Sequence, residues 1–184
     1  VNTGTIAKYH PLWGIRRITY LKSHYDKPVV PLGPFAEAMP RRVKQSQRAK
    51  IIIKGIRYFD SFVDVDGSHI AGKSTIIIFD PSDIVFNLHW LCAILNSRLT
   101  MFTLRAAYSA LGIDGGINFS KNMVAAIRLP SLDEEVKSEL ATFAIKISEI
   151  GSDADAESLR AEIDKRVYRL YDLPPEEVKI VEGV

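Results

Sequence analysis

The chain has 184 residues, 47% of them apolar and 25% charged, with a single cysteine. That suits one globular core with a helical appendage, excludes a disulfide within the chain, and leaves no apolar run of membrane-spanning length. The net charge of +2 hides an asymmetry. Residues 131–184 hold 14 Asp/Glu against 7 Lys/Arg, whereas residues 1–130 hold 17 Lys/Arg against 8 Asp/Glu. A net of +9 on the first part points to a polyanionic partner there, against the plain alternative that solvated faces merely differ. The chain opens on Val1 without a signal-peptide pattern, so a segment of a larger cytosolic polypeptide is expected.

Residues 1–49 are the least regular. Trp13 to Tyr20 reads as a strand, and Pro28, Pro31, Pro34 and Pro40 break the rest into loops. The densest basic run follows: Arg41, Arg42, Lys44, Arg48, Lys50, Lys54 and Arg57, with no acidic residue between Glu37 and Asp60. It is either a solvated basic loop or a set of phosphate contacts. Gln45, Ser46 and Gln47 interleave base-edge donors with the phosphate donors.

Ile51 to Ile53 is a short β-branched run, which reads as a strand buried on both faces. Ser61 to Val65 gives a second strand, Asp66-Gly67 a turn, and Ser74 to Phe79 a third strand ended by Pro81. Leu88, Leu91, Cys92, Leu95, Leu99 and Phe102 then recur at helical spacing, so a helix from about Asn87 packs on the sheet, with Cys92 in the core.

Gly67 to Ser74 matches the phosphate-loop pattern G-x-x-x-x-G-K-Ser/Thr residue for residue. A working phosphate loop leads into a helix, whose N-terminal amides hold the phosphates. Here Thr75 to Phe79 is a strand-forming run, and Asp80 ends the strand that leaves the same loop. The match reads as chance. Asp60, Asp64, Asp66 and Gly67 fail as a calcium loop, because Phe62 stands at a ligand position and no glutamate closes it. His10, His24, His69 and His89 lack zinc-ligand spacing.

Arg105 to Ser120 reads as a long loop, with Gly112, Gly115 and Gly116 permitting unusual backbone angles and with Tyr108, Asn118, Ser120 and Lys121 as candidate DNA-facing residues. Ser131 and Glu134 have the form of a capping box opening a helix with Val136, Leu140, Phe143, Ile147 and Ile150 on one side, stopped by Gly151. A second helix from about Ala154 aligns Leu159, Ile163, Val167 and Leu170, and Pro174-Pro175-Glu176-Glu177 starts a third. Helices this acidic suit each other and a protein neighbour better than DNA.

The order of these pieces carries a resemblance. Lys50 to Ile56, the strand ending in Asp66-Gly67, the Lys73-Ser74-Thr75 strand start, and Leu95-Asn96-Ser97-Arg98-Leu99 look like the target-recognition domain of adenine-specific DNA methyltransferases. The likeness is greatest to the C-terminal specificity domain of type IIG restriction–modification enzymes, and more distant to type I specificity subunits. Ile127 to Pro130 resembles that family's exit strand, and Ile163 to Val178 its C-terminal tail.

The resemblance implies a DNA-binding module, with Lys73, Ser74, Arg105, Tyr108 and Lys121 joining the basic run. The partners implied are double-stranded DNA and the parent's catalytic domain, which would use S-adenosylmethionine, with or without endonuclease activity. The family's catalytic tetrapeptide is absent: Asp80-Pro81-Ser82-Asp83 lacks its second proline and its aromatic. No cofactor or metal is therefore expected in this segment. The expected fold is α/β or α+β, a mixed sheet with a packed helix over residues 1–130, then a helical subdomain over 131–184. A nucleotide-binding enzyme built on Gly67 to Ser74, and a protein-interaction domain with a basic face, are the alternatives.

Overall fold

A computed structural model describes residues 1–108, 112–113, 116–150 and 153–183; the expectations at Gly115 and Gly151 lie outside them. Two short hairpins come first, β1 (Ile6–Ala7) with β2 (His10–Pro11) and β3 (Ile18–Tyr20) with β4 (Ser23–Tyr25). Of the strand expected over Trp13 to Tyr20, only Ile18–Tyr20 forms. The expected proline-broken loops hold two helices instead, α1 (Leu32–Ala38) and α2 (Pro40–Ser46). Pro31 is the N-cap of α1, Pro34 lies in its first turn, and Pro40 opens α2. At those positions a missing N–H costs no hydrogen bond.

The central sheet has the order β7-β5-β8, with β5 (Lys50–Lys54) between β7 (Ser61–Asp64) and β8 (Thr75–Ile78). Ile52 pairs with Phe62 on one side and Ile77 on the other. Ile51 and Ile53 face the main core, while Ile52 faces a smaller cluster with Ile6 and Phe62. The run is buried on both faces, as its composition predicts.

Between β5 and β7 the short β6 (Ile56–Arg57) leaves for another sheet with β9 (Gly112–Ile113) and β10 (Gly116–Asn118). Every described pairing is antiparallel, so the mixed sheet gives way to the α+β arrangement. No crossover helix separates β5, β7 and β8, and a parallel neighbour needs one.

The helix expected from Asn87 to Phe102 is two helices, α3 (Val85–Asn96) and α4 (Arg98–Tyr108), with Ser97 extended between them. Ser97 Oγ accepts from the Thr100 amide at 3.2 Å, which gives α4 its own N-cap, and the Arg98 N–H donates to the Asp164 carboxylate at 2.8 Å. Helix α3 covers the sheet and is itself covered by α6 (Glu134–Glu149), so Leu88, Cys92, Ala93, Ile94 and Leu95 are all buried.

Burial of this kind stabilises by about 1.5–3 kcal/mol per large aliphatic side chain. Leu140 and Ile147 of α6, with Ile163 and Val167 of α7 (Asp153–Leu170), belong to the same core. The cap of α6 is Asp133, which accepts from the Val136 amide at 2.8 Å, in place of the expected Ser131.

Helix α4 extends to Tyr108 and β9 and β10 follow, so the described residues of the expected loop from Arg105 to Ser120 are largely regular. Ser120 caps the short α5 (Lys121–Ala125), residues 127–130 form no strand, and α8 (Pro175–Glu182) ends the fold.

One side-chain contact ties helix to sheet. The Asn96 amide lies along the outer edge of β7: Ser61 N–H donates to Asn96 Oδ1 at 2.9 Å, and Asn96 Nδ2 donates to the Ser61 carbonyl at 2.9 Å. Tyr9 N–H donates to that same carbonyl at 2.7 Å.

Candidate nucleic-acid interface

Helix α2 buries Val43 and Ser46, and that anchoring turns Arg41, Arg42, Lys44 and Gln45 outward. Arg42 donates to the Ala71 carbonyl of the β7–β8 connection. Beside it lies a cleft of about 520 Å³ lined by Arg42, Gln45, Gly72, Thr75 and Lys121, with no acidic residue among its described lining. Lys73 and Ser74 are exposed next to Thr75. Arg41, Arg42, Lys44, Lys73 and Lys121 form no ion pair among the described residues. The fold thus brings Arg42 and Lys121, seventy-nine positions apart in the sequence, to one cleft.

Other candidates are placed differently. Lys50 is not a surface cation: its side chain is 1% exposed, its ammonium contacts the Asp64 carboxylate, and it donates to the Ser46 carbonyl at 2.6 Å. In the alternating pattern of β5 its side chain faces inward, where it needs a partner. Lys54 is mostly covered and pairs with Asp60 at 3.3 Å. Arg48 is half-exposed, pairing with Asp83 at 2.5 Å and lying 4.4 Å from the Phe79 ring centre. These three have local work that the charge run concealed.

Arg57 is exposed at φ 69 in β6, across from Ile117. Arg105 is exposed on the last turn of α4, and the half-buried Tyr108 lines an apolar cavity of about 650 Å³ with Leu99, Met123 and Tyr171. Neither lines the basic cleft.

The phosphate-loop look-alike already holds an anion of its own chain. The backbone N–H groups of Ser68 and His69 donate to the Asp64 carboxylate at 3.1 and 3.0 Å, and His69 Nδ1 lies 3.1 Å from it. Burial pushes the Asp64 carboxyl up, but hydrogen bonds from His69 and Lys50 and the Lys50 charge hold it down at about 2. Ser74 has φ 60 and Thr75 begins β8, so no helix N-terminus follows Lys73.

Asp80 is equally engaged. It accepts from the Ser82 and Ile84 amides at 2.8 and 3.0 Å and from Asn87 Nδ2 at 3.0 Å, which shapes the turn into α3.

The charge run also extends further back than its densest part. Residues 13–57 hold eleven Lys/Arg against two acidic residues, Asp26 and Glu37, which accounts for the whole +9 of residues 1–130. A window moved along the charge alone picks out Arg16, Lys22 and Lys27, all exposed. Neither a protein-family model nor a curated protein sequence matches this chain.

Proposed function

We propose that the chain is the DNA-recognition module of a larger adenine-N6 DNA methyltransferase or restriction–modification polypeptide, and that it carries out no methyl transfer by itself. The observation that carries the DNA part is the cleft shared by Arg42 and Lys121, with no acidic side chain in its described lining and exposed Arg41, Lys44 and Lys73 nearby. Cations without an ion pair among the described residues attract a polyanion, and Gln45 beside them adds an amide able to meet a base edge.

The methyltransferase part rests on the sequence resemblance. S-adenosylmethionine chemistry belongs to the parent's catalytic domain, because the nearest match to a catalytic motif has its Asp80 carboxylate committed to a turn. The acidic surface of α6 and α7 suits contact with that domain. No helix among the described residues is long and apolar enough to cross a membrane.

A salt titration on short duplexes tests the reading. One phosphate on each of Arg41, Arg42, Lys44, Lys73 and Lys121 gives a slope of log affinity against log salt near −4.5, from about −0.9 per contact. Arg42→Ala and Lys121→Ala are each expected to lower that slope by about one unit, roughly uniformly across sequences. Salt-independent binding, or slopes in both variants equal to that of the wild type, would remove DNA from this cleft.

A further inference from the structure

The β3–β4 hairpin projects side chains that the core does not use. Ile18 pairs with Tyr25, Thr19 with His24 and Tyr20 with Ser23, which leaves Leu21-Lys22 as a two-residue turn. Both turn residues hold left-handed backbone angles, φ 49 and φ 68. Such turns favour Asn-Gly, and a leucine there is strained. Leu21 is nevertheless 81% exposed and Tyr20 63% exposed. At that exposure the Leu21 side chain gives the core almost no burial in return for the strain, and backbone strain of this kind collects where a chain meets a ligand.

The surrounding charge identifies the partner's chemistry. Arg16, Lys22 and Lys27 are exposed around the hairpin, and Asp26, the acidic residue nearby, is paired with Arg17 at 2.8 Å. The hairpin is also a braced unit rather than a loose loop: Thr19 Oγ1 meets His24 Nδ1 at 3.0 Å, and Trp13 Nε1 donates to the Pro28 carbonyl at 3.0 Å.

It continues the basic face. Trp13 and Ile18 line a cavity with Ser46, Ile70 and Gly72, and those last three residues also line the Arg42–Lys121 cleft. The hairpin and the cleft thus flank one shared wall.

We propose that the hairpin enters a groove of the duplex and that Leu21 wedges against one base step, partly unstacking it. The proposal rests on the DNA-recognition reading above. A two-stranded ribbon fits a DNA groove, and leucine is among the side chains that act as wedges at flexible pyrimidine–purine steps. Phosphate contacts on α2 and at Lys121 then hold the duplex while Lys22, beside the tip, meets the backbone next to the distorted step.

The test uses the full chain and duplexes with 2-aminopurine at successive positions around a TA step, read by fluorescence as protein is added. Wild type is expected to raise the signal about two-fold or more at one position as stacking is lost. Leu21→Asn tolerates the same left-handed angle and removes the apolar side chain. It is expected to abolish the rise and weaken affinity about five-fold, with the salt slope unchanged.

Wild type that binds without a rise at any position, or Leu21→Asn that behaves like wild type, overturns the wedge and leaves the DNA reading standing. Wild type that fails to bind duplex at low salt overturns both. Binding to phosphatidylserine vesicles in preference to duplex likewise overturns the proposal, assigning the hairpin to an anionic membrane surface.

Discussion

Lys50→Met keeps the length of the side chain but removes the ammonium that touches Asp64 and donates to the carbonyls of Ser46 and Arg48. The Asp64 carboxylate then stays buried, with a 2% exposed side chain, and without its cation. Breaking a buried pair from one side costs about 3–5 kcal/mol. With an m-value of about 1–3 kcal/mol per molar urea, the unfolding midpoint is expected to fall by roughly 1–5 M.

Acid stability gives a second reading of the same site. A carboxyl held at about 2 against an ordinary 3.8 contributes about 2 kcal/mol, at roughly 1.36 kcal/mol per pH unit. Because the folded value is the lower one, that stability is fully present above 3.8 and is lost as pH falls from 3.8 towards 2. In Lys50→Met this limb is expected to flatten.

Lys50→Met with Asp64→Asn removes the orphaned charge, retains an acceptor for one of the Ser68 and His69 amides, and is expected to recover part of the loss. Urea melts at neutral and acid pH provide these numbers. A single variant within about 0.5 kcal/mol of wild type would refute the buried pair. A DNA salt slope lowered by about one unit would return Lys50 to the phosphate contacts.

Three other outcomes follow from the structure. Calorimetry is expected to detect no ATP binding, with Lys73→Ala identical to wild type, because the loop amides already hold Asp64; saturable binding lost in Lys73→Ala would contradict this. The Cys92 thiol, pushed up to about 12 by burial, is expected to resist a thiol reagent in the folded protein and to react on unfolding, so rapid native labelling would show that α3 is not covered. Removing residues 131–184 uncovers the face of α3 that packs on α6 and is expected to abolish cooperative unfolding, whereas a cooperative melt of residues 1–130 would mean that the first part has a sufficient core of its own.

The buried centre was legible because its signals are physical necessities. A β-branched run must be covered on both faces, and Ile51, Ile52 and Ile53 are. The periods of α6 and α7 likewise named Leu140, Ile147, Ile163 and Val167 correctly. What escaped was set by tertiary partners. Pro31, Pro34 and Pro40 look like breakers in a linear reading but sit where helices begin. The break at Ser97 combines a local cap, Ser97 Oγ accepting from the Thr100 amide, with Asp164, sixty-seven residues away in sequence, and that second partner has no local signal.

The candidate site divides the same way. Charge density found α2, but Lys50 and Lys54 answer to Asp64 and Asp60, and pairing across a strand cannot be counted from a run of cations. Lys121 joins Arg42 only through the fold.

The Asn96 side chain bears on how a partner can dock. A sheet margin with free amides and carbonyls invites an extended peptide, or a second copy of the chain, to add a strand. At Ser61 both outward backbone groups are taken, by a side-chain amide imitating the next strand and by Tyr9. Strand addition is therefore blocked at the Ser61 end of that margin. A partner that meets the chain at Ser61 must read side chains rather than main chain.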